Sequence, residues 1–212
     1  MPNISPSLFL PEPQFFMATS ATAPARIIVG ITGASGAIYG VRALELLHRA
    51  GFETHLVMSR SASLTLSQEL QMHPGDLADR ATVVHAIQDV GAAISSGSFK
   101  TSGMLIAPCS IRTLSEIASG VTSSLLTRAA DVVLKERRKL VLMVRETPLH
   151  LGHLRSMVAV TEMGAIVMPP VPAFYARPDS LQAMVDHSVG RALDLFDIDT
   201  GSVTRWEGMN TP

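Results

Sequence analysis

The chain has 212 residues and a formal net charge of −1, which excludes the strongly basic class of nucleic-acid-binding proteins. Its single cysteine, Cys109, excludes an intrachain disulfide and a multi-cysteine metal site, and favours a reducing compartment, so we expect a cytoplasmic protein. Hydrophobic residues make up 47% of the chain, yet no apolar run reaches the roughly 20 residues of a membrane-spanning helix, so we expect this surplus to form a homo-oligomer interface.

The first 25 residues are rich in proline and contain no lysine or arginine. A secretory signal needs a basic start and a continuous apolar core, and here Pro11 and Pro13 interrupt the apolar residues. We therefore predict a flexible N-terminal extension over residues 1–25 and a single domain over residues 26–212.

The first predicted strand, residues 26–31, leads through a glycine-rich turn into a helix over 37–50. Such a turn offers backbone N–H groups to an anion. The glycine spacing matches neither the dinucleotide fingerprint nor a Walker A loop, and Ala37 stands where a nucleophile elbow needs glycine. The turn is therefore either an anion site or a helix-packing turn without a ligand.

A second predicted strand, residues 53–58, ends at Ser59 and Arg60, and a helix follows over 61–70. An NAD site needs an acidic residue at this strand end to bind the ribose hydroxyls. The residues present leave two alternatives, NADP with Arg60 on its 2′-phosphate, or a mononucleotide such as FMN.

A short strand near 82–85 and an irregular loop over 92–98 precede the third clear strand, residues 104–107. The turn that follows, from Ser110 to Thr113, opens a helix over 111–119. Ser and Thr at helix starts are ordinary N-caps, but two hydroxyl-rich turns at neighbouring strand ends together favour one mononucleotide that bridges them.

A helix near 126–133 then leads to a five-residue apolar strand, 140–144, that ends directly in Arg145 and Glu146. Ligands of open parallel sheets lie outside the carboxyl ends of the strands, so these two residues are either active-site groups or a strand-end ion pair. Another helix is predicted to start near Pro148. A last strand at 165–168 and a helix over 181–193 complete an α/β, doubly wound parallel sheet.

Several stretches together resemble the flavin prenyltransferases of the UbiX type, over nearly all of residues 26–208. They are Gly33–Ala37 with Tyr39–Gly40, Pro108–Ser110 with Thr113–Leu114, Arg128–Arg138, Arg145–Pro148 and Pro172–Tyr175. The resemblance implies a three-layer flavodoxin-like or Rossmann-like fold and a homo-oligomer, in this family often a dodecamer. It also implies an enzyme that joins the dimethylallyl group of dimethylallyl phosphate to N5 and C6 of reduced FMN. The prenylated FMN would serve a UbiD-type decarboxylase, as in ubiquinone biosynthesis.

By position, the resemblance also assigns the site residues. FMN would be held by Gly33, Ala34, Ser35, Ser59, Ser110, Ile111, Arg112, Thr113 and Arg145. Dimethylallyl phosphate would be bound by Lys135, Tyr175 and Arg191. Glu69 and Glu146 match the family's active-site carboxylates, and Trp206 matches its C-terminal aromatic residue. One departure is Ser123–Ser124, where the family often has Asp-Asn or Asp-Gly.

The residue types suit this chemistry. Breaking an allylic C–O bond releases phosphate, and cationic and hydroxyl groups stabilise the developing charge; Lys135, Tyr175, Arg145 and Arg191 are such groups. No Asp-rich or His/Cys cluster is visible, so no metal is expected. Trp206 can stabilise an allyl cation, and Glu146 is a suitable proton acceptor.

Two other functions remain as alternatives. An FMN-dependent cysteine decarboxylase is disfavoured because the first-helix region lacks the matching histidine, and residues 92–98 match that group's active-site segment poorly. A non-catalytic flavin carrier subunit of a decarboxylase would bind FMN without changing its mass.

Overall fold

A six-stranded parallel sheet forms the centre of the protein in a computed structural model that describes residues 24–209. The strands run in the order β3-β2-β1-β4-β5-β6, and every neighbouring pair is parallel. They are β1 (Arg26–Ile31), β2 (Glu53–Met58), β3 (Val83–His85), β4 (Gly103–Cys109), β5 (Lys139–Val144) and β6 (Ile166–Val167). This topology confirms the predicted α/β doubly wound sheet.

Along the described part of the chain, at least one α-helix follows every strand except β3. The α-helices are α1 (Ala37–Arg49), α2 (Arg60–Leu70), α3 (Pro74–Ala78), α4 (Ile111–Ala118), α5 (Leu125–Lys135), α6 (Leu151–Glu162) and α7 (Leu181–Asp194), with short 3₁₀ segments at Ala93–Ser95 and Phe174–Ala176. None of the helices within residues 24–209 is long and apolar enough to cross a membrane. The extension predicted over residues 1–25 lies outside the described residues, apart from its last two positions.

The sheet has a separate hydrophobic core on each face, because successive strand residues point to opposite sides. In β1, Ile27, Val29 and Ile31 pack with the apolar residues of α1 and α7. Ile28 faces the other way and packs with α4 and α5. Both faces of the central strands are therefore buried, which explains their uninterrupted apolar runs and produces the predicted three layers.

The prediction for the helix after β5 was wrong at its start. Instead of beginning near Pro148, α6 begins at Leu151 with His150 as its N-cap, and the His150 Nδ1 atom accepts the N–H of Gly152 at 3.0 Å. Histidine is not a usual capping residue, so the sequence carried no clear signal for this boundary. The single-turn helix α3 was not predicted at all.

Candidate active site

The two turns predicted to hold a ligand lie side by side, because β1 and β4 are neighbours where the strand order reverses. Thr32, the first residue after β1, is fully buried. Its hydroxyl donates to the carbonyl oxygen of Pro108 at 2.7 Å and accepts the N–H of Ser110 at 2.7 Å. Ligands of open parallel sheets bind at such a switch point. Thr32 was not among the sequence-predicted site residues, although it is a polar residue directly after a buried strand.

Replacing Thr32 by valine is expected to lower the free energy of unfolding by about 1–3 kcal/mol, because the Ser110 N–H loses its hydrogen-bond partner in a part-buried position. Urea unfolding measures the change. Thr161→Val is the matched control, since the exposed Thr161 hydroxyl donates only to the Met157 carbonyl of its own helix, and its effect should stay within about 0.5 kcal/mol. Equal losses in the two variants would contradict the assigned role of Thr32.

The hydroxyl-rich turns after β2 and β4 open onto one cleft of about 450 Å³. Ser59 caps α2 by accepting the N–H of Ala62 at 3.1 Å, and Ser110 caps α4 by accepting the N–H of Thr113 at 3.3 Å. The cleft is lined by Ser59, Arg60, Ser61, Ile87, Gln88, Val90, Ser110, Arg112, Thr113, Glu116, Ser123, Ser124, Leu126 and Thr127. Two helix N-termini and many hydroxyls thus face one space of the size that small-molecule ligands occupy.

Ser123 and Ser124, which stand where the family often has Asp-Asn or Asp-Gly, form a defined local structure. Ser124 caps α5, and its hydroxyl accepts the N–H of Thr127 at 3.4 Å. The Ser123 hydroxyl donates to the Glu116 carboxylate at 3.2 Å. Both serines line the cleft, so the residues that replace the family's usual pair still present polar groups there.

The glycine turn after β1 has its anion site filled from within the chain. The Glu69 Oε2 atom accepts the N–H groups of Gly36 at 2.9 Å and Ala37 at 3.0 Å. Burial opposes ionisation of Glu69, but hydrogen bonds from Ser35 and these N–H groups, with the Arg145 charge, hold its pKa below the ordinary value. Glu69 is therefore a carboxylate at neutral pH and takes the place of a ligand anion at the N-terminus of α1.

Gly33 in the same turn serves close packing. A Cβ atom at this position would lie 2.2 Å from the Cβ atom of Ser61 in α2. The turn therefore combines the two interpretations left open by the sequence, since it binds an internal anion at its end and packs against a helix at its start.

Arg145 and Glu146 directly follow β5, so they also lie at the carboxyl ends of the parallel strands. The Arg145 N–H donates to the Cys109 carbonyl oxygen at 3.0 Å, which ties the end of β5 to the end of β4. The exposed Glu146 accepts the N–H of Thr147 at 3.0 Å. Among residues 24–209, no ion pair joins Arg145 to Glu146, so the strand-end ion pair is not what positions them.

Tyr175, Arg191 and Trp206 come together from three separate segments. Tyr175 and Arg191 line a pocket of about 260 Å³, together with Met168, Pro169, Pro170, Val171, Ala173, His187 and Ser188. The Tyr175 and Trp206 rings meet edge to face, with their centroids 5.7 Å apart. A small pocket with a guanidinium, a phenol and apolar walls suits a short apolar group that carries an anion.

Lys135 does not join these residues within one chain. It lies at the carboxyl end of α5, where its ammonium group pairs with the Glu136 carboxylate at 2.5 Å. Lys135 precedes the first residue of β5, and Arg145 follows its last residue. At about 3.3 Å per residue, the six residues of this strand separate the two positions by roughly 20 Å, so they lie at opposite ends of β5. A larger cleft of about 560 Å³ beside Lys135 contains none of the other assigned residues.

Cys109, the last residue of β4, is fully buried. Burial raises the pKa of the Cys109 thiol to about 12, so the reactive thiolate does not form near neutral pH. Within residues 24–209, no group of three or more His, Cys, Asp or Glu side chains is placed to hold a metal ion.

Comparison with known proteins identifies the family. The model of the family described as Flavoprotein matches residues 17–196. Flavin prenyltransferase UbiX from Thauera aromatica is 59% identical over 183 residues, which cover 86% of this chain and 94% of the relative. The chain belongs to the flavoprotein family and, within it, to the UbiX flavin prenyltransferases. It is therefore an enzyme that transfers prenyl groups.

Two solved structures share the fold of this UbiX-family chain. AnUbiX (PadA1), in complex with FMN and dimethylallyl pyrophosphate, is 50% identical with a TM-score of 0.87, covering 89% of this chain and 100% of AnUbiX. A dodecameric FMN-dependent UbiX-like decarboxylase from Escherichia coli O157:H7 is 47% identical with a TM-score of 0.84, covering 86% of this chain and 100% of that protein. The sequence-based recognition of the family and the Rossmann-like fold is confirmed.

Proposed function

We propose that this chain transfers the dimethylallyl group of dimethylallyl phosphate to N5 and C6 of reduced FMN and releases phosphate. The observation that carries the proposal is a pair of spaces that both lie beyond the carboxyl ends of the parallel strands. One is the hydroxyl-lined cleft, into which the N-termini of α2 and α4 open. The other is the small pocket with Tyr175 and Arg191.

FMN fits the residues of the hydroxyl-lined cleft. A phosphate monoester needs N–H and hydroxyl donors near a positive potential, and Ser59, Ser110, Arg112 and Thr113 supply these at two helix starts. The α1 N-terminus is already neutralised by Glu69, so we place the flavin phosphate at α2 and α4. Gly33, Ala34, Ser35, Ile111 and Arg145 would then line the rest of the flavin site.

The small pocket would bind the prenyl donor. Arg191 and Tyr175 would orient the phosphate, and the apolar wall around Met168 and Val171 would hold the five-carbon chain. As the allylic C–O bond breaks, the electron pair leaves with the phosphate, and the guanidinium stabilises the negative charge. Trp206 would shield the allyl group from water and stabilise its positive charge.

Proton transfer would depend on Glu146. Bound reduced flavin supplies the nucleophilic atoms N5 and C6. Joining both ends of the allyl group to them would remove one proton from each flavin atom. One of these protons would be added to the alkene and the other would go to the released phosphate or to solvent, so the site needs a proton carrier. Glu146 is exposed at the correct edge of the sheet and is free to accept and return a proton. Glu69, ionised and held by backbone N–H groups, would maintain the shape and charge of the turn.

We place Lys135 in the active site of a neighbouring copy in a homo-oligomer. This placement is supported by the position of Lys135 before the start of β5, whereas Arg145 follows the end of that strand. The helix α6 supports an interface, because its exposed face carries three large apolar side chains, Leu151 (59% exposed), Leu154 (45%) and Val158 (56%). A dodecamer, the assembly of the E. coli relative, would satisfy both features.

The test of the proposed function is the mass of the flavin after anaerobic incubation with dimethylallyl phosphate and reduced FMN. We expect a gain of one five-carbon prenyl unit together with release of inorganic phosphate. A flavin carrier subunit would return FMN of unchanged mass, and so would a cysteine decarboxylase, which would instead release CO₂ from a cysteine-containing peptide.

We also propose that the product is delivered to a UbiD-type decarboxylase in the cytoplasm. Prenylated FMN has no further role in a site built to make it, so its release must precede its use. An apo-decarboxylase of this type should gain activity when mixed with the enzyme, FMN, a reductant and dimethylallyl phosphate, and should remain inactive if prenyl transfer is omitted.

A further inference from the structure

Residues 200–207 form a C-terminal strap that runs along α7 and carries Trp206, the only tryptophan of the chain. The Ser202 hydroxyl donates to the Asp186 carbonyl oxygen at 3.3 Å. A Cβ atom at Gly190 would lie only 2.6 Å from the Ser202 Oγ atom and 2.7 Å from a methyl group of Val203. The strap therefore lies directly against the backbone of the helix, and only glycine leaves room for it.

The backbone of the strap also contacts the prenyl-donor pocket. The carbonyl oxygen of Thr204 lies 3.5 Å from the Tyr175 hydroxyl and 3.4 Å from the His187 Nε2 atom. The Tyr175 ring stands edge to face between Trp206, at 5.7 Å, and His187, at 5.8 Å. Tyr175 is thus held between the strap on one side and α7 on the other.

Asp194 joins the strap to Arg191. Its carboxylate, only 12% exposed, pairs with Arg205 of the strap through two contacts of 2.5 Å and 2.9 Å. The same carboxylate accepts a hydrogen bond from Arg191 at 2.6 Å. Burial opposes its ionisation, but the hydrogen bonds from Arg205 and Arg191 hold the pKa of Asp194 below its ordinary value. Arg205 also lies 3.8 Å from the Asp199 carboxylate, whereas Arg191 contacts Asp194 through one nitrogen atom and keeps further N–H donors for a ligand.

We infer that Asp194 is a positioning residue in the site for the prenyl donor. Asp194 orients Arg191 and, by pairing with Arg205, fixes the strap that bears Trp206 and holds Tyr175. This inference rests on the proposed role of Arg191 and Tyr175 in binding dimethylallyl phosphate. Tyr175 and Arg191 line the pocket, and Trp206 packs against Tyr175. All three depend on one carboxylate that does not itself line the pocket. Removing Arg205 should therefore disturb the pocket without removing any residue that touches the ligand.

The first test replaces Arg205 by alanine and by lysine. Because Trp206 is the only tryptophan, its fluorescence anisotropy in the FMN-free protein reports the docking of the strap directly. In Arg205→Ala we expect a lower anisotropy and a KM for dimethylallyl phosphate raised about tenfold, the loss typical of one charge-assisted contact. Because the strap does not reach the hydroxyl-lined cleft, the affinity for FMN should be unchanged. Arg205→Lys keeps the charge but not the two-contact geometry, and should lie between alanine and the parent on both measures.

The second test compares two aspartates of the same charge. Asp194→Asn should lower the anisotropy and raise the KM as Arg205→Ala does. Asp197→Asn is the control, since the Asp197 carboxylate pairs with Lys139 at 2.6 Å, away from the strap, and both measures should stay at the parent values. Gly190→Ala should displace the strap by steric contact alone and reproduce the loss of anisotropy.

Two outcomes separate the inference from the function on which it rests. If Arg205→Ala and Asp194→Asn lower only the melting temperature, with anisotropy and KM unchanged, the positioning role is wrong. If the anisotropy falls in both variants but Arg191→Ala leaves the KM for dimethylallyl phosphate unchanged, the docking of the strap by Asp194 is upheld and the proposed phosphate contact of Arg191 is overturned.

Discussion

Replacing Glu146 by glutamine is expected to slow prenyl transfer by about 10²–10⁴-fold, the usual contribution of general acid–base catalysis. Glutamine keeps the shape of the side chain and can still accept the N–H of Thr147, as Glu146 does, but it cannot take up a proton. Anaerobic stopped-flow mixing of reduced FMN with dimethylallyl phosphate measures the rate, and a separate titration measures the affinity for FMN, which should be unchanged.

Asp79→Asn serves as the control for Glu146→Gln. Asp79 is an exposed carboxylate next to α3, so its neutralisation removes the same charge from a part of the surface that the site does not use. We expect the parent rate from this variant. A parent rate from Glu146→Gln, or a loss of activity explained wholly by lost FMN binding, would contradict the catalytic role of Glu146.

The second large effect is expected for Lys135→Ala, which should weaken binding of dimethylallyl phosphate and slow transfer by about tenfold to a hundredfold, corresponding to about 1.5–3 kcal/mol for a lost charge-assisted contact. Lys139→Ala is the matched control. Lys139 is the first residue of β5 and therefore lies at the same end of this strand as Lys135, and its ammonium group also forms an ion pair, with Asp197 at 2.6 Å. If the two variants lose activity equally, a general charge effect at that end of the strand replaces the specific contact.

Mixed oligomers test whether Lys135 acts in a neighbouring copy. Lys135→Ala and Glu146→Gln chains are co-expressed with different tags and purified as hetero-oligomers. If each site is built from two copies, random assembly leaves about a quarter of the sites with both native residues. Activity should then rise well above that of either variant alone. If Lys135 served its own chain, every chain would lack one group and no site would recover. A monomer in light scattering at micromolar concentration would also exclude the shared site.

The spacing of apolar residues and the local motifs were sufficient to determine the fold class and the family from the sequence. The apolar runs of β1, β2 and β5 predicted strands buried on both faces, and their alternation with amphipathic helices predicted a parallel doubly wound sheet. The motifs around Gly33, Ser110 and Arg145 led to the UbiX family because they are contiguous stretches with unusual residue combinations. Each of these motifs is continuous in the sequence, so it can be recognised without knowledge of the contacts between helices and strands.

The tertiary structure alone decided which of the candidate residues share a site. The strand order places β4 beside β1, and Thr32 bridges the two turns, although they are far apart along the chain. Glu69 reaches the N-terminus of α1 from α2, while Lys135 lies at the opposite edge of the sheet from Arg145. Asp194 joins Arg191 to the strap. These contacts depend on strand order and chain direction, and local sequence patterns cannot report them because they record only how each element is buried, not which other element covers it.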